Sequence, residues 1–130
     1  MARKFRLTAP KPFIPTEYED QCIVFDWLKY CRLDGADMAF ASLGGIRLPI
    51  GLAVKAKRAG NKQGVPDILL DCGRQGFKGL RIELKREKGG VLSQEQQDWH
   101  FRLKQEGFMV VVAKGANEAI AAIKAYLDAK

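Results

Sequence analysis

Apolar positions recur along this chain in two rhythms, one repeating about every 3.6 residues and one about every two, and the rhythm changes several times. From Glu17 to about Arg32, the residues Cys22, Ile23, Phe25, Trp27, Leu28 and Cys31 follow helical spacing loosely, which predicts a largely buried helix. Thr16 stands in the cap position, with Glu19 completing a capping box. Ahead of it, prolines at 10, 12 and 15 mark residues 1–15 as an extended arm. Residues 34–49 are irregular apart from a short strand at Met38 to Ser42, and "GLAVKAKRAG", 51–60, reads as a short basic helix closed by Gly60. Two runs of strand rhythm follow, Asp67 to Cys72 and Leu80 to Lys85. The loop "GRQGFKG" between them is short and glycine-rich, so an antiparallel hairpin is predicted. Ser93 then caps a helix reaching about Glu106, with Gln96 in the capping-box position and Gly107 as its stop. The apolar run Phe108 to Ala113 predicts a buried strand, parallel to its neighbour because a helix precedes it. A stripe of Ala119, Ile120, Ile123 and Leu127 predicts a last helix over about Asn117 to Ala129. The order amounts to a single α/β domain over 16–130, a mixed sheet flanked by helices, with no internal repeat.

Composition narrows the picture. At 130 residues and 47% hydrophobic the chain is one domain with enough apolar material for a core. No apolar run reaches the ~18 residues of a membrane helix, because Asp26, Lys29 and Arg32 interrupt the best stretch. The basic start "MARKFRLTAPKPF" lacks the apolar segment of a secretory leader. Cys22, Cys31 and Cys72 are odd in number and lack CxxC spacing, so they read as reduced thiols of a cytoplasmic protein, not as a disulfide frame or zinc site. His100 is the single histidine, which argues against a histidine metal cage or a serine–histidine hydrolase. The net charge of +7 is concentrated in blocks. Arg3, Lys4, Arg6 and Lys11 fall in a stretch without acids, and so do Arg47, Lys55, Lys57, Arg58 and Lys62. Acid-free basic blocks suit a polyanion such as nucleic acid, and the second block supplies candidates for gripping phosphates without reading bases. The plainer reading of that block is a solvated helix face.

The strand Leu80 to Lys85 carries the candidate chemistry. Leu80, Ile82 and Leu84 share one face, while Arg81, Glu83 and Lys85 share the other, with Glu83 and Lys85 about 6–7 Å apart. Antiparallel pairing of the two hairpin strands brings Asp67, after Pro66, beside Glu83. Two carboxylates so close repel unless a cation lies between them, and Mg²⁺ is the natural guest because it takes one or two carboxylates and keeps waters that a phosphate can replace. Such an ion acidifies its water and neutralises charge on a scissile phosphate, while a nearby lysine can orient or deprotonate that water and stabilise the transition state. The competing reading makes Glu83 and Lys85 an exposed strand edge with a minor ion pair, and Asp67 a turn residue. Asp71 reads as solvated, and Trp27, Trp99 and His100 as packing or surface residues.

Together, "PD" at 66–67 and "ELK" at 83–85 resemble the Pro-Asp…(Asp/Glu)-X-Lys nuclease superfamily, PD-(D/E)XK. Within it, the chain resembles the virus-type replication-repair nuclease (VRR-NUC) domain through "EYEDQ" (17–21), "GGIR" (44–47), "GVPDILL" (64–70), "IELK" (82–85), "LSQEQQDW" (92–99) and "GFMVVVAKGANEAIAAIKAYL" (107–127). The likeness covers nearly everything after residue 16, as in stand-alone phage and bacterial versions. It implies a restriction-endonuclease-like fold and a Mg²⁺- or Mn²⁺-dependent endonuclease acting on branched or structured DNA. Asp67, Glu83 and the main-chain carbonyl of Leu84 would be metal ligands, Lys85 the water-activating lysine and Gln96 its support. The first-helix acid would be Glu17, with Glu19 a competing match. The resemblance also implies a homodimer cutting four-way junctions. The alternatives are a non-catalytic basic nucleic-acid-binding module and a protein-interaction domain whose charge is incidental.

Overall fold

The computed structural model of the protein describes residues 13–42 and 46–128, so nearly all of the basic arm and the Gly44–Gly45 part of "GGIR" lie outside the described residues. The chain forms α1 (Glu17–Tyr30), a 3-10 turn (Ala36–Met38), β1 (Ala39–Ala41), α2 (Ile50–Arg58), β2 (Ile68–Leu70), β3 (Leu80–Lys85), α3 (Gln94–Gln105), β4 (Met109–Lys114) and α4 (Ala116–Asp128). Among the described residues the strands make one sheet of order β1-β2-β3-β4, with β1 and β2 antiparallel, β2 and β3 antiparallel, and β3 and β4 parallel. The α3 crossover makes the last pairing parallel. The hairpin closes on a tight turn in which Arg74 and Phe77 exchange backbone hydrogen bonds around Gln75 and Gly76, both at positive φ. Among the described residues no helix is long and apolar enough to cross a membrane.

The strand face formed by Ile68, Leu70, Leu80, Ile82, Leu84 and Ala113 packs against Val24 and Leu28 of α1 and Ala119, Ile123, Tyr126 and Leu127 of α4. Each of the large side chains there contributes about 1.5–3 kcal/mol by leaving water. Asp20, buried in α1, accepts the Ala116 N–H at the start of α4, which fixes the register of the two helices over the sheet. The opposite face is covered by α3, whose one buried residue is His100.

Several sequence expectations shift. The first helix is not largely buried: only Asp20, Val24 and Leu28 are buried, while Tyr18, Ile23 and Tyr30 are exposed, because one side of α1 meets the core. The run ending in "VVVA" becomes an edge strand with Val112 exposed, since no further strand pairs beyond β4 among the described residues. The first hairpin strand is shorter than expected and begins after Asp67, and Asp71 is not merely solvated but accepts a hydrogen bond from Arg81 Nη1 at 2.8 Å.

Candidate active site

Each member of the constellation is placed by a local feature of the sequence. Ile68 pairs with Ile82, and one step further the same register sets Asp67 opposite Glu83. Pro66 and Asp67 are both buried at the mouth of β2, and Asp67 Oδ2 accepts the Leu84 N–H at 2.8 Å. In a strand the N–H and C=O of one residue face the same edge, so the Leu84 carbonyl also faces the Asp67 side. Gly64, at φ +88, lies so close to the Glu95 backbone that a Cβ would sit 2.7 Å from its carbonyl. Trp99 Nε1 donates to the Gln63 carbonyl at 3.0 Å. These two contacts seat the approach to Asp67 against the start of α3.

The exposed-edge reading of β3 fails on burial. Glu83 is 1% and Lys85 8% exposed, although both lie on the polar face. Nor are the two an ion pair: Lys85 Nζ donates to Gln96 Oε1 at 3.0 Å. That oxygen also accepts the Ser93 N–H at 2.9 Å, and Ser93 Oγ accepts the Gln96 N–H at 3.2 Å, so Gln96 completes the capping box and holds the lysine at once. Gly90 leaves room for this arrangement, because a Cβ there would fall 2.8 Å from Lys85 Cβ.

Burial drives the Glu83 carboxyl up from its ordinary 4.5 to about 9, reinforced by a hydrogen bond to Asp67 and by the repulsion of its charge. Lys85 opposes the rise and Glu17 adds to it. A raised Glu83 beside Asp67 marks a place where a bound cation would relieve the same repulsion. The donors are hard oxygens, which fits a small divalent ion such as Mg²⁺. Among the described residues no three His, Cys, Asp or Glu side chains cluster into a ready-made cage, so such an ion would keep several waters.

Of the acids in "EYED", Glu17 is half-buried and its charge reaches Glu83. Glu19 is exposed and its Oε1 accepts from Thr16 Oγ1 at 3.0 Å, in the capping box of α1. The structure therefore brings Asp67, Glu83, Lys85 and Gln96 together with Glu17 nearby, and leaves Glu19 at the cap. A cleft of about 470 Å³ opens beside Asp67, Ser93 and Gln96 and is walled by Lys57 and Lys62. Arg47, Lys55 and Arg58 are exposed but do not line it.

Of the two expectations for His100, packing or surface, the buried one holds, but the contact was not foreseen: its Nε2 lies 3.3 Å from Glu83 Oε1. Burial, then the charges of Lys104 and Lys85, lower its pKa against the pull of Asp67, so the ring is neutral near pH 7. The signal available was spacing: His100 falls four residues after Gln96 and so shares its helix face.

A comparison with curated proteins finds no match. A solved structure of a protein described as a VRR_NUC domain protein matches at 33% identity over 89% of this chain and 91% of that one, with a TM-score of 0.75. The VRR-NUC domain family matches residues 14–117. With the four-stranded mixed sheet, the helices on both faces and the PD…ExK residues gathered at one end of the hairpin, these matches establish that the chain belongs to the VRR-NUC family of PD-(D/E)XK-type nucleases.

Proposed function

We propose that the protein is a divalent-metal-dependent DNA endonuclease that hydrolyses phosphodiesters in branched DNA, four-way junctions among them. The observation that carries this reading is the buried pair Asp67 and Glu83 with Lys85 held beside it, since a protein that only bound DNA would gain nothing from buried acids next to its basic groove. Asp67, Glu83 and the Leu84 carbonyl would hold Mg²⁺, with Glu17 reaching it through one of its waters and Mn²⁺ able to substitute. When bound, the ion would neutralise charge on the scissile phosphate and acidify a water. The chain's own residues do the rest. Gln96 fixes the Lys85 ammonium so that it can orient the attacking water and stabilise the extra negative charge as the water oxygen bonds to phosphorus and the leaving oxygen departs. Lys57 and Lys62 sit on the cleft wall where a phosphate backbone would run, with Arg47, Lys55 and Arg58 extending the basic surface outward.

The same reading includes a homodimer. Ile50 and Val54, four residues apart on one face of α2, are exposed at 85% and 63%, and a second copy would cover them. Two sites held at a fixed separation would suit the geometry of a junction. The test is cleavage of labelled four-way, flap and linear duplex DNA in Mg²⁺, Mn²⁺ or EDTA, with light scattering for the dimer. Metal-dependent cutting with branched substrates preferred is the expected result. Tight binding without cleavage of any substrate would leave a binding module, and a monomer at all concentrations would remove the dimer.

A further inference from the structure

We infer that His100 is a positioning residue for Glu83, donating its Nε2–H to Glu83 Oε1 and so setting how tightly the two-carboxylate site takes a divalent cation. This rests on the metal-dependent reading above. A helix step and a strand step match at this site. Gln96 and His100 are one turn apart on α3, about 6 Å along its axis. Lys85 and Glu83 are two residues apart on β3, about 6.6 Å. The spacings coincide, and α3 runs across the polar face so that Gln96 meets Lys85 at 3.0 Å and His100 meets Glu83 at 3.3 Å. One helix face therefore supplies one partner to each working side chain of the strand.

Packing alone does not explain the imidazole. His100 is the only buried residue of α3 and is 6% exposed, where an apolar side chain would fill the space without burying a polar ring. The carboxylate it touches is itself 1% exposed. Asp67 accepts the Leu84 N–H through Oδ2, and Lys85 is held by Gln96, so the His100 imidazole is the side-chain nitrogen that meets Glu83 among the described residues. A carboxylate that is to hold a cation through one oxygen needs its other oxygen satisfied, and a fixed donor there both orients the ligand and restrains its rotation. With a cation bound Glu83 is charged and can only accept, so the ring nitrogen that faces it must then be the donor.

The experiment uses the intact chain and needs no assignment of overlapping signals, since His100 is the sole histidine. Long-range ¹⁵N–¹H spectra of the imidazole with saturating Mg²⁺ are expected to show the neutral Nε2–H tautomer. In parallel, Mn²⁺ uptake without DNA is followed by the loss of the free-ion EPR signal for wild type, His100→Gln and His100→Leu. Gln places an N–H near the position of Nε2 and should bind Mn²⁺ almost as wild type does. Leu keeps the packing but no donor and should weaken binding by about 10-fold or more, with the Mg²⁺ midpoint for cleavage shifted in step. An Nδ1–H tautomer in Mg²⁺, equal losses in the Gln and Leu variants, or a Leu variant that binds as wild type does would each overturn the inference. Should His100→Leu fail to fold, the wild-type tautomer still decides. A wild type that takes up no Mn²⁺ overturns the metal reading itself, a distinct outcome from the others.

Discussion

The Gln96 side chain serves two partners, and substitutions can separate what each contact contributes. Its Oε1 accepts from Lys85 Nζ at 3.0 Å and from the Ser93 N–H at 2.9 Å. Gln96→Ala removes both bonds, whereas Ser93→Ala removes only the hydroxyl that accepts the Gln96 N–H. Losing a capping interaction costs ~1 kcal/mol, which for a domain of this size lowers Tm by ~4 °C. Both variants should show that loss in thermal melts. Only Gln96→Ala also strips a buried ammonium of its acceptor. A hydrogen bond to a charged group contributes ~1.5–3 kcal/mol, and if that is lost from the positioning of Lys85, the single-turnover cleavage rate falls by about 10- to 150-fold. Gln96→Glu keeps an acceptor for both partners and should retain most of the rate. Similar cleavage losses in Ser93→Ala and Gln96→Ala would show that only the placement of α3 matters and would refute the lysine-holding role. So would a Gln96→Ala enzyme as fast as wild type.

Three further outcomes follow from the geometry. Because Glu83 is held at about 9 against an ordinary 4.5, the folded metal-free protein keeps a proton that the unfolded chain gives up. Its contribution to stability is therefore fully present below about pH 4.5 and is lost as pH rises through about 9, so metal-free melts should fall over that range. Glu83→Gln should flatten the slope and added Mg²⁺ should stabilise most at the alkaline end; an unchanged slope in the variant contradicts the assignment. Lys57→Ala and Lys62→Ala should each reduce the salt slope of DNA binding by about one while leaving Mn²⁺ affinity untouched, and an unaltered salt slope would move the phosphate path elsewhere. Gly64→Ala forces a side chain into positive φ and against the Glu95 backbone, so a stability loss of at least ~1–3 kcal/mol in denaturant melts is expected, together with reduced cleavage. A variant as stable as wild type would mean that this loop is free to move away from α3.

Much of this architecture was legible beforehand because its signals are local. Thr16 with Glu19 and Ser93 with Gln96 are capping boxes in the sequence and in the structure. The glycines of "GRQGFKG" close the expected hairpin, whose register follows from its length and places Asp67 by Glu83. What depends on tertiary packing was harder to read. The polar face of β3 looks solvent-directed in isolation, yet Glu83 and Lys85 are buried there and meet His100 and Gln96 of α3. The triple-valine run looks like a central strand, yet β4 is an edge because the sheet order is decided by pairing across the fold. His100 looks like a stray polar residue until the four-residue helix step is laid against the two-residue strand step. Glu17 and Glu19 look alike in "EYED", and only the fold puts Glu19 in the capping box of α1 while the charge of Glu17 reaches Glu83.

The most direct test of the central claim is single-turnover cleavage of a four-way junction by wild type and Lys85→Ala in Mg²⁺, with binding of both measured in EDTA. Lys85→Ala leaves Asp67, Glu83 and the basic wall of the cleft in place. Equal binding is expected, with a rate reduced by about 10²- to 10⁴-fold in the variant and no cutting by wild type in EDTA. Equal binding with equal cleavage would show that Lys85 has no part in the chemistry, and equal binding with no cleavage by either would contradict the nuclease account as a whole.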